Sequence, residues 1–168
     1  FKIPVLEGSG IEALENPNNI LLTESLAKKI FGKESAINKT ILFNSDKTMM
    51  VKGIIPDAPK NQHFTYSYIA SINISSQYKL DLDRWISNNY YTYVALAEGS
   101  NYKSLQDKMK GYEKFTKQAF NDVGFNFYPE YILQPLKSIH LHSSMNAEID
   151  TNGDINNVYF FAFIAFII

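Results

Sequence analysis

The 168-residue sequence contains no cysteine. Disulfide frameworks, thiolate zinc sites and cysteine nucleophiles are therefore excluded. Arginine is nearly missing as well: of 16 basic residues, Arg84 alone is an arginine. Nucleic-acid faces depend on arginine for bidentate contacts, and the formal net charge is −1, so no nucleic acid is expected as a partner. There is no GxSxG, no SxxK, no glycine-rich phosphate loop and no HExxH helix. "EGSG" at Glu7 to Gly10 reads only as a loop. With no nucleophile beside a base in a defined turn, no enzyme is expected, and no catalytic or cofactor-binding residue is singled out. The opening "FKIPVLEGSG" lacks both a basic start and an apolar run, and no initiator Met precedes it. The sequence reads as a piece of a longer protein.

What is present is ordinary in bulk. Hydrophobic residues make up 45% and charged residues 20%, close to a typical globular domain. The length suits one domain, or a domain with an inserted lobe, with a core that needs no staples. Eleven Tyr and 12 Phe, many of the tyrosines in strand-like runs, favour sheets with one wetted face.

Along the chain, Ile20–Leu22 is apolar and strand-like, and "TESLAKKIFG" then reads as a helix over 23–31. Thr23 is its N-cap, Lys28 and Lys29 complement its C-terminal dipole, and Gly32 is its C′ residue. Leu26 and Ile30, with Ala27 and Phe31, are expected to form the buried stripe. "KTILFNSDKTMMVKGII" reads as a hairpin turning at "NSDK". Pro56 and Pro59 make Pro56–Phe64 a non-helical loop, whose rigid polar projection is the one weak candidate for an interaction surface. "TYSYIASINIS" (65–75) and "YYTYVALAEG" (90–99) read as strands, with "DLDRWISNN" (81–89) as a short link between them. Residues 101–120 read as a second helix with Leu105, Met109, Tyr112 and Thr116 or Ala119 on one face. "FNFYPEYILQPLKSIHL" (125–141) reads as a strand broken by Pro129 and Pro135. The fold class is α+β, two-lobed, with a mixed, mostly antiparallel sheet and two main helices at about 23–31 and 101–120.

Two metal patterns are weak. Asp150, Asn152 and Asp154 occupy positions 1, 3 and 5 of an EF-hand loop, but position 6 is Ile155 instead of Gly and position 12 is Phe161 instead of Glu. "DTNGDINN" is therefore read as an Asn-Gly turn. His140 and His142 would share one face of a strand, yet a third ligand is missing nearby and His63 is distant in sequence. No metal is expected.

The chain closes on "VYFFAFIAFII", eleven apolar residues from Val158 to Ile168. The run has no polar face at a period of 2 or 3.6, which excludes an amphipathic element. It is shorter than the roughly 20 residues needed to cross a bilayer. A membrane helix severed part-way accounts for both features; a stand-alone secreted module whose apolar tail packs internally is the alternative, and a metal-dependent hydrolase using His140 and His142 a third.

The stretches Asn16–Ile41, Val51–Phe64, Tyr91–Leu96 and Leu133–Ser143, followed by "NNVYFFAFIAFII", together resemble the MacB-like periplasmic core domain of ABC-transporter permeases in the FtsX/MacB superfamily, most closely the large permeases of Bacteroidetes-type bacteria. The chain departs from the family's "PIGK" turn with "AINK" at Ala36–Lys39, which leaves the geometry of that turn open. The resemblance implies a non-catalytic domain outside the inner membrane, facing the periplasm, over residues 1–157. About 44–96 is a candidate inserted lobe, and 158–168 the start of the second transmembrane helix. It further implies a separate ABC ATPase subunit, a permease homodimer, a role in export or mechanotransmission, and a periplasmic partner or exported substrate.

Overall fold

The computed structural model describes residues 2–167 except 61, 82–88, 127–129, 144 and 146–147. The chain divides into two compact units, residues 1–79 and 80–168.

The first unit is built on a five-stranded sheet: β1 (Glu7–Gly8), β2 (Asn19–Thr23), β3 (Thr40–Phe43), β4 (Lys47–Ile55) and β5 (Tyr68–Ala70). β4 is its central strand. One edge of β4 pairs in parallel with β2; the other carries β3 along its first half and β1 near its end, both antiparallel. β5 is antiparallel to the far edge of β2. Three of the four pairings are antiparallel, as expected for an α+β sheet. β2 is paired on both edges, and Ile20, Leu21, Leu22 and Thr23 are all at most 2% exposed, which is why its sequence is continuously apolar.

Two parallel strands cannot be joined by a hairpin, so the chain crosses over from β2 through α1 (Glu24–Phe31) and β3 before entering β4. Thr23 caps α1, its Oγ1 accepting from the Leu26 N–H at 3.3 Å. Gly32 ends it at φ 66°, its N–H donating to Lys28 O. Ala27 is buried and Leu26 and Phe31 pack on the core, but Ile30 is 47% exposed, so the buried stripe runs on the Phe31 side and not through Ile30.

The turn at "AINK" closes as the sequence requires. Asn38 takes φ 63°, a left-handed conformation that Asn tolerates better than most other non-glycine residues. Its Oδ1 accepts from Lys52 Nζ at 2.8 Å and its N–H donates to Val51 O at 2.8 Å. The β3–β4 turn uses the same device: Asn44 and Ser45 both have positive φ, matching the twist of a hairpin.

A bulge in β4 sets the layering. Ile20 pairs with Val51 and Leu21 with Gly53, so Lys52 has no counterpart on β2. The extra residue reverses the in–out alternation. Met49, Val51 and Ile54 therefore all enter one core with Ile20, Leu22, Ala27 and Ala36. Leu21 and Ile55, each 0% exposed, belong to the opposite face. There Asn19 Nδ2 donates to Ala13 O at 2.8 Å and holds the 3-10 turn Ile11–Glu15 against β2.

The second unit is helical among the described residues. α2 (Ser76–Asp81) leads into it, and α3 (Tyr102–Met109), α4 (Glu113–Asp122), α5 (Leu136–His142) and α6 (Ile155–Ile167) follow. The single helix expected over 101–120 is two, joined by a 3-10 turn at Lys110–Tyr112 that contains Gly111, a poor helix former. The tighter turn rotates the buried face: Thr116 (0%) and Phe120 (3%) point inward, while Tyr112 is 60% exposed instead of sharing the apolar face. Asn101 caps α3, accepting from the Lys103 N–H at 2.9 Å. Gln106 Oε1 accepts from the Leu133 N–H at 3.3 Å and ties the approach to α5 onto α3.

Three expected strands differ. Of 65–75 only Tyr68–Ala70 pairs, and Ile72–Ile74 turns into a 3-10 helix. Residues 90–97 form no ladder; Tyr91 is 57% and Val94 55% exposed, and strand propensity without a neighbouring strand fixes no strand. Residues 136–142 are helical: Pro135, at φ −59°, is pre-set for a helix start, and its carbonyl accepts from both the N–H and the Oγ of Ser138. Most of the 81–89 link, with the tryptophan, lies outside the described residues, as does Pro129.

Candidate functional site

The most distinctive surface is α6. All of its 13 residues but Asn156 and Asn157 are apolar or aromatic, and none is buried: Tyr159 is 64%, Phe161 66%, Phe163 64% and Phe166 90% exposed. A soluble helix does not present such a cylinder to water without cost; fully burying one such side chain is worth about 1.5–3 kcal/mol. At 1.5 Å per residue the helix is about 20 Å long, against about 30 Å of bilayer hydrocarbon. Among the described residues no helix is long and apolar enough to cross a membrane.

In the turn leading into α6, two of the three residues of the calcium-like pattern, Asp150 and Asp154, act as backbone caps. Asp154 Oδ1 accepts from the Asn156 N–H at 2.8 Å and caps α6; Asp150 Oδ1 accepts from the Thr151 N–H at 2.8 Å. Gly153 N–H donates to His140 O at 2.7 Å. A Cβ on Gly153 would stand 3.2 Å from Leu141 Cδ2, so the turn lies close on α5. His140 and His142, two apart on a helix, diverge by about 200° and cannot share the face that a strand would have given them. Among the described residues no group of three or more His, Cys, Asp or Glu side chains is placed to hold a metal ion.

The Pro56–Phe64 loop has a structural task. Asp57 reaches back 32 residues to the N-terminus of α1, where Ser25 Oγ donates to Oδ2 at 2.6 Å and the Ser25 N–H to Oδ1 at 3.3 Å. The Ser25 hydroxyl chiefly, helped by Thr23, holds the Asp57 carboxyl below the usual aspartate range. No local sequence signal announces this cap, because the two partners meet only after β4 has returned alongside β2.

Sequence reading also missed a basic, aromatic surface. Tyr112 and Phe115, 60% and 70% exposed, hold their rings 6.3 Å apart among exposed lysines. Lys110 beside them pairs with Asp107 at 2.9 Å, which raises its pKa. The signal available was the alternation of lysine with aromatic residues from Lys108 to Phe115.

With this geometry in hand, comparison with known proteins places the chain. Residues 1–112 match the MacB-like periplasmic core domain family, and the chain belongs to that family. The matched family is a non-catalytic periplasmic domain of transporter permeases. The crystal structure of a domain assigned to a permease protein of Porphyromonas gingivalis is similar, with 26% identity and a TM-score of 0.53 over 67% of this chain and 52% of that one. The periplasmic region of MacB from Actinobacillus actinomycetemcomitans aligns at 15% identity and a TM-score of 0.42, over 71% of this chain and 50% of that one. The chain thus spans about half the length of these solved relatives. No curated protein matches it. Residues 113–168, with α4, α5 and α6, lie beyond the matched stretch.

Proposed function

We propose that this chain is the extracytoplasmic part of an ABC-transporter permease that works in export or mechanotransmission across the cell envelope, without chemistry of its own. Residues 1–157 form the domain facing the periplasm, and 158–168 begin a helix that enters the inner membrane. Any inserted lobe within 44–96 starts after Ala70, because Lys47–Ile55 and Tyr68–Ala70 are both strands of the first unit's own sheet. Hydrolysis falls to a separate ATPase subunit and the permease acts as a homodimer, moving a substrate or passing motion to a periplasmic partner.

The observation that carries the reading is the pairing of a periplasmic core domain match over residues 1–112 with a helix that is apolar on every side from Val158 onward. The first unit has a core of its own, the cluster around Ile20, Val51 and Ile54. Among the described residues α6 offers the longest exposed apolar surface, one suited to lipid.

Labelling tests the orientation. Leu42, on β3, is 67% exposed and outside the core, so Leu42→Cys supplies a thiol where the sequence has none. In spheroplasts making the full-length permease, a membrane-impermeant maleimide is expected to label this thiol without lysis. Labelling only after lysis would put the domain in the cytoplasm and end the proposal.

A further inference from the structure

The charges of the second unit are unevenly placed. Residues 103–117 hold Lys103, Lys108, Lys110, Lys114 and Lys117 against Asp107 and Glu113, a formal +3. The rest of residues 80–168 holds Arg84 and Lys137 against eight carboxylates, a formal −6. The basic stretch is therefore a local feature in an acidic unit. All five lysines are exposed, and among the described residues Lys103, Lys108 and Lys114 enter no ion pair.

Into this stretch are set Tyr112 and Phe115, the latter more exposed than any other described aromatic side chain outside α6. The two rings stand 6.3 Å apart, with Lys108 and Lys110 shortly before Tyr112 in the chain and Lys114 directly before Phe115. Aromatic rings ringed by lysine fit one environment well: the boundary of an anionic bilayer, where rings lie at the acyl–headgroup level and ammonium groups reach lipid phosphates. Each lysine near such a surface contributes through the leaflet's negative potential, within about one Debye length of it. An acidic patch on a second copy would match the lysines but leave the two rings in water.

We propose that the exposed segment carrying Lys108, Tyr112, Lys114 and Phe115, with its two neighbouring rings, docks on anionic phospholipid headgroups, giving the unit a second membrane contact besides α6. This rests on the reading of α6 as a membrane-entering helix only for the nearness of a bilayer. The contact would fix how the unit lies on the membrane, since one helix alone leaves rotation about its axis free.

Because the sequence has no cysteine, single substitutions can each carry one polarity-sensitive fluorophore. Phe115→Cys reports on the proposed segment, Phe166→Cys on α6, and Leu42→Cys on the first unit. All three positions are well exposed, at 70%, 90% and 67%, so labelling leaves the core intact. The protein is mixed with vesicles of phosphatidylcholine, with or without phosphatidylglycerol. The expected result is a blue shift at 115 that requires phosphatidylglycerol, shrinks with salt, and disappears with Lys108→Glu and Lys114→Glu while the shift at 166 persists. A probe at 115 that stays in water while 166 enters lipid overturns the docking proposal and leaves the α6 reading standing. If neither probe moves, both fail. A shift at 115 that appears without lipid and grows with protein concentration assigns the segment to a second copy and overturns lipid docking.

Discussion

Replacing Gly53 by alanine tests the layering of the first unit directly. Gly53 lies on β4 opposite Gly8 of β1 and Leu21 of β2. A Cβ added there would stand 2.1 Å from Ser9 O and 3.0 Å from Leu21 Cδ2. Real Cβ contacts essentially never fall under 3.0 Å, so the Ser9 carbonyl must retreat by about 1 Å. The retreat strikes the bonds that hold β1 in place: Ser9 N–H to Lys52 O and Leu6 N–H to Ile54 O, both 2.8 Å. Each is worth about 1 kcal/mol net, and overpacking adds about 1–3 kcal/mol. The expected loss is about 3–5 kcal/mol, a large share of the 5–15 kcal/mol typical of a whole domain. Urea unfolding followed by far-ultraviolet circular dichroism measures it, and hydrogen exchange at the Leu6 and Ser9 amides localises it. Gly111→Ala is the matched control: no atom lies within 4 Å of its added Cβ, so the same substitution should stabilise, by about 0.5–1 kcal/mol. A Gly53→Ala protein with an unchanged midpoint and a Ser9 amide as protected as before would refute the reasoning.

Two further outcomes follow from the cap and the tail. Since the folded state holds the Asp57 pKa below its ordinary value of about 3.9, its stabilising contribution is complete above that pH and is lost as the pH falls through the lowered value. Urea midpoints of the wild type and Asp57→Asn should therefore differ at neutral pH and converge in acid; a constant gap would mean that the carboxylate charge is not what caps α1. Removal of residues 158–168 should leave the midpoint of the folded domain unchanged and improve solubility, because no residue of α6 is buried. Collapse of folding on that truncation would show the tail to be core.

Within the first 55 residues the sequence made α1 and the β3–β4 hairpin readable because their signals are local, whereas Glu7–Gly8, read as a loop, is β1, a strand made only by its pairing with β4. Thr23, the lysines of the last turn and Gly32 bound α1, and two β-prone runs around Asn44 and Ser45 bound the hairpin. The bulge at Lys52 was not readable, since it exists only in the pairing of β4 with β2. Residues 90–97 have strand composition yet no ladder, because a strand is a property of its neighbours. His140 and His142 were read two residues apart on a strand, when the proline before Leu136 starts a helix and sends them to different sides. The turn at Ala36–Lys39, whose geometry the sequence left open, closes with Asn38 at a positive φ that Asn tolerates. As for the candidate surfaces, the apolar run was legible from composition alone. The lysine-ringed Tyr112 and Phe115 were not, because the 3-10 turn at Gly111 turned them outward.

The central place of β4 also orders the events of folding. Its contacts with β3 join residues 4 to 10 apart, those with β2 residues 31 to 32 apart, and those with β1 residues 45 to 47 apart. Hairpins close in about 1–10 μs, whereas each longer loop adds closure entropy before its contacts form. The β3–β4 hairpin therefore forms while the other edge of β4, with Met49, Val51, Ile54 and Ile55, still waits for β2 to arrive by way of α1. In that interval an apolar strand edge lies open to any other chain. The speed with which α1 forms and delivers β2 sets how long this exposure lasts, so the Thr23 and Asp57 contacts at its first turn guard the yield of folded protein as well as its stability.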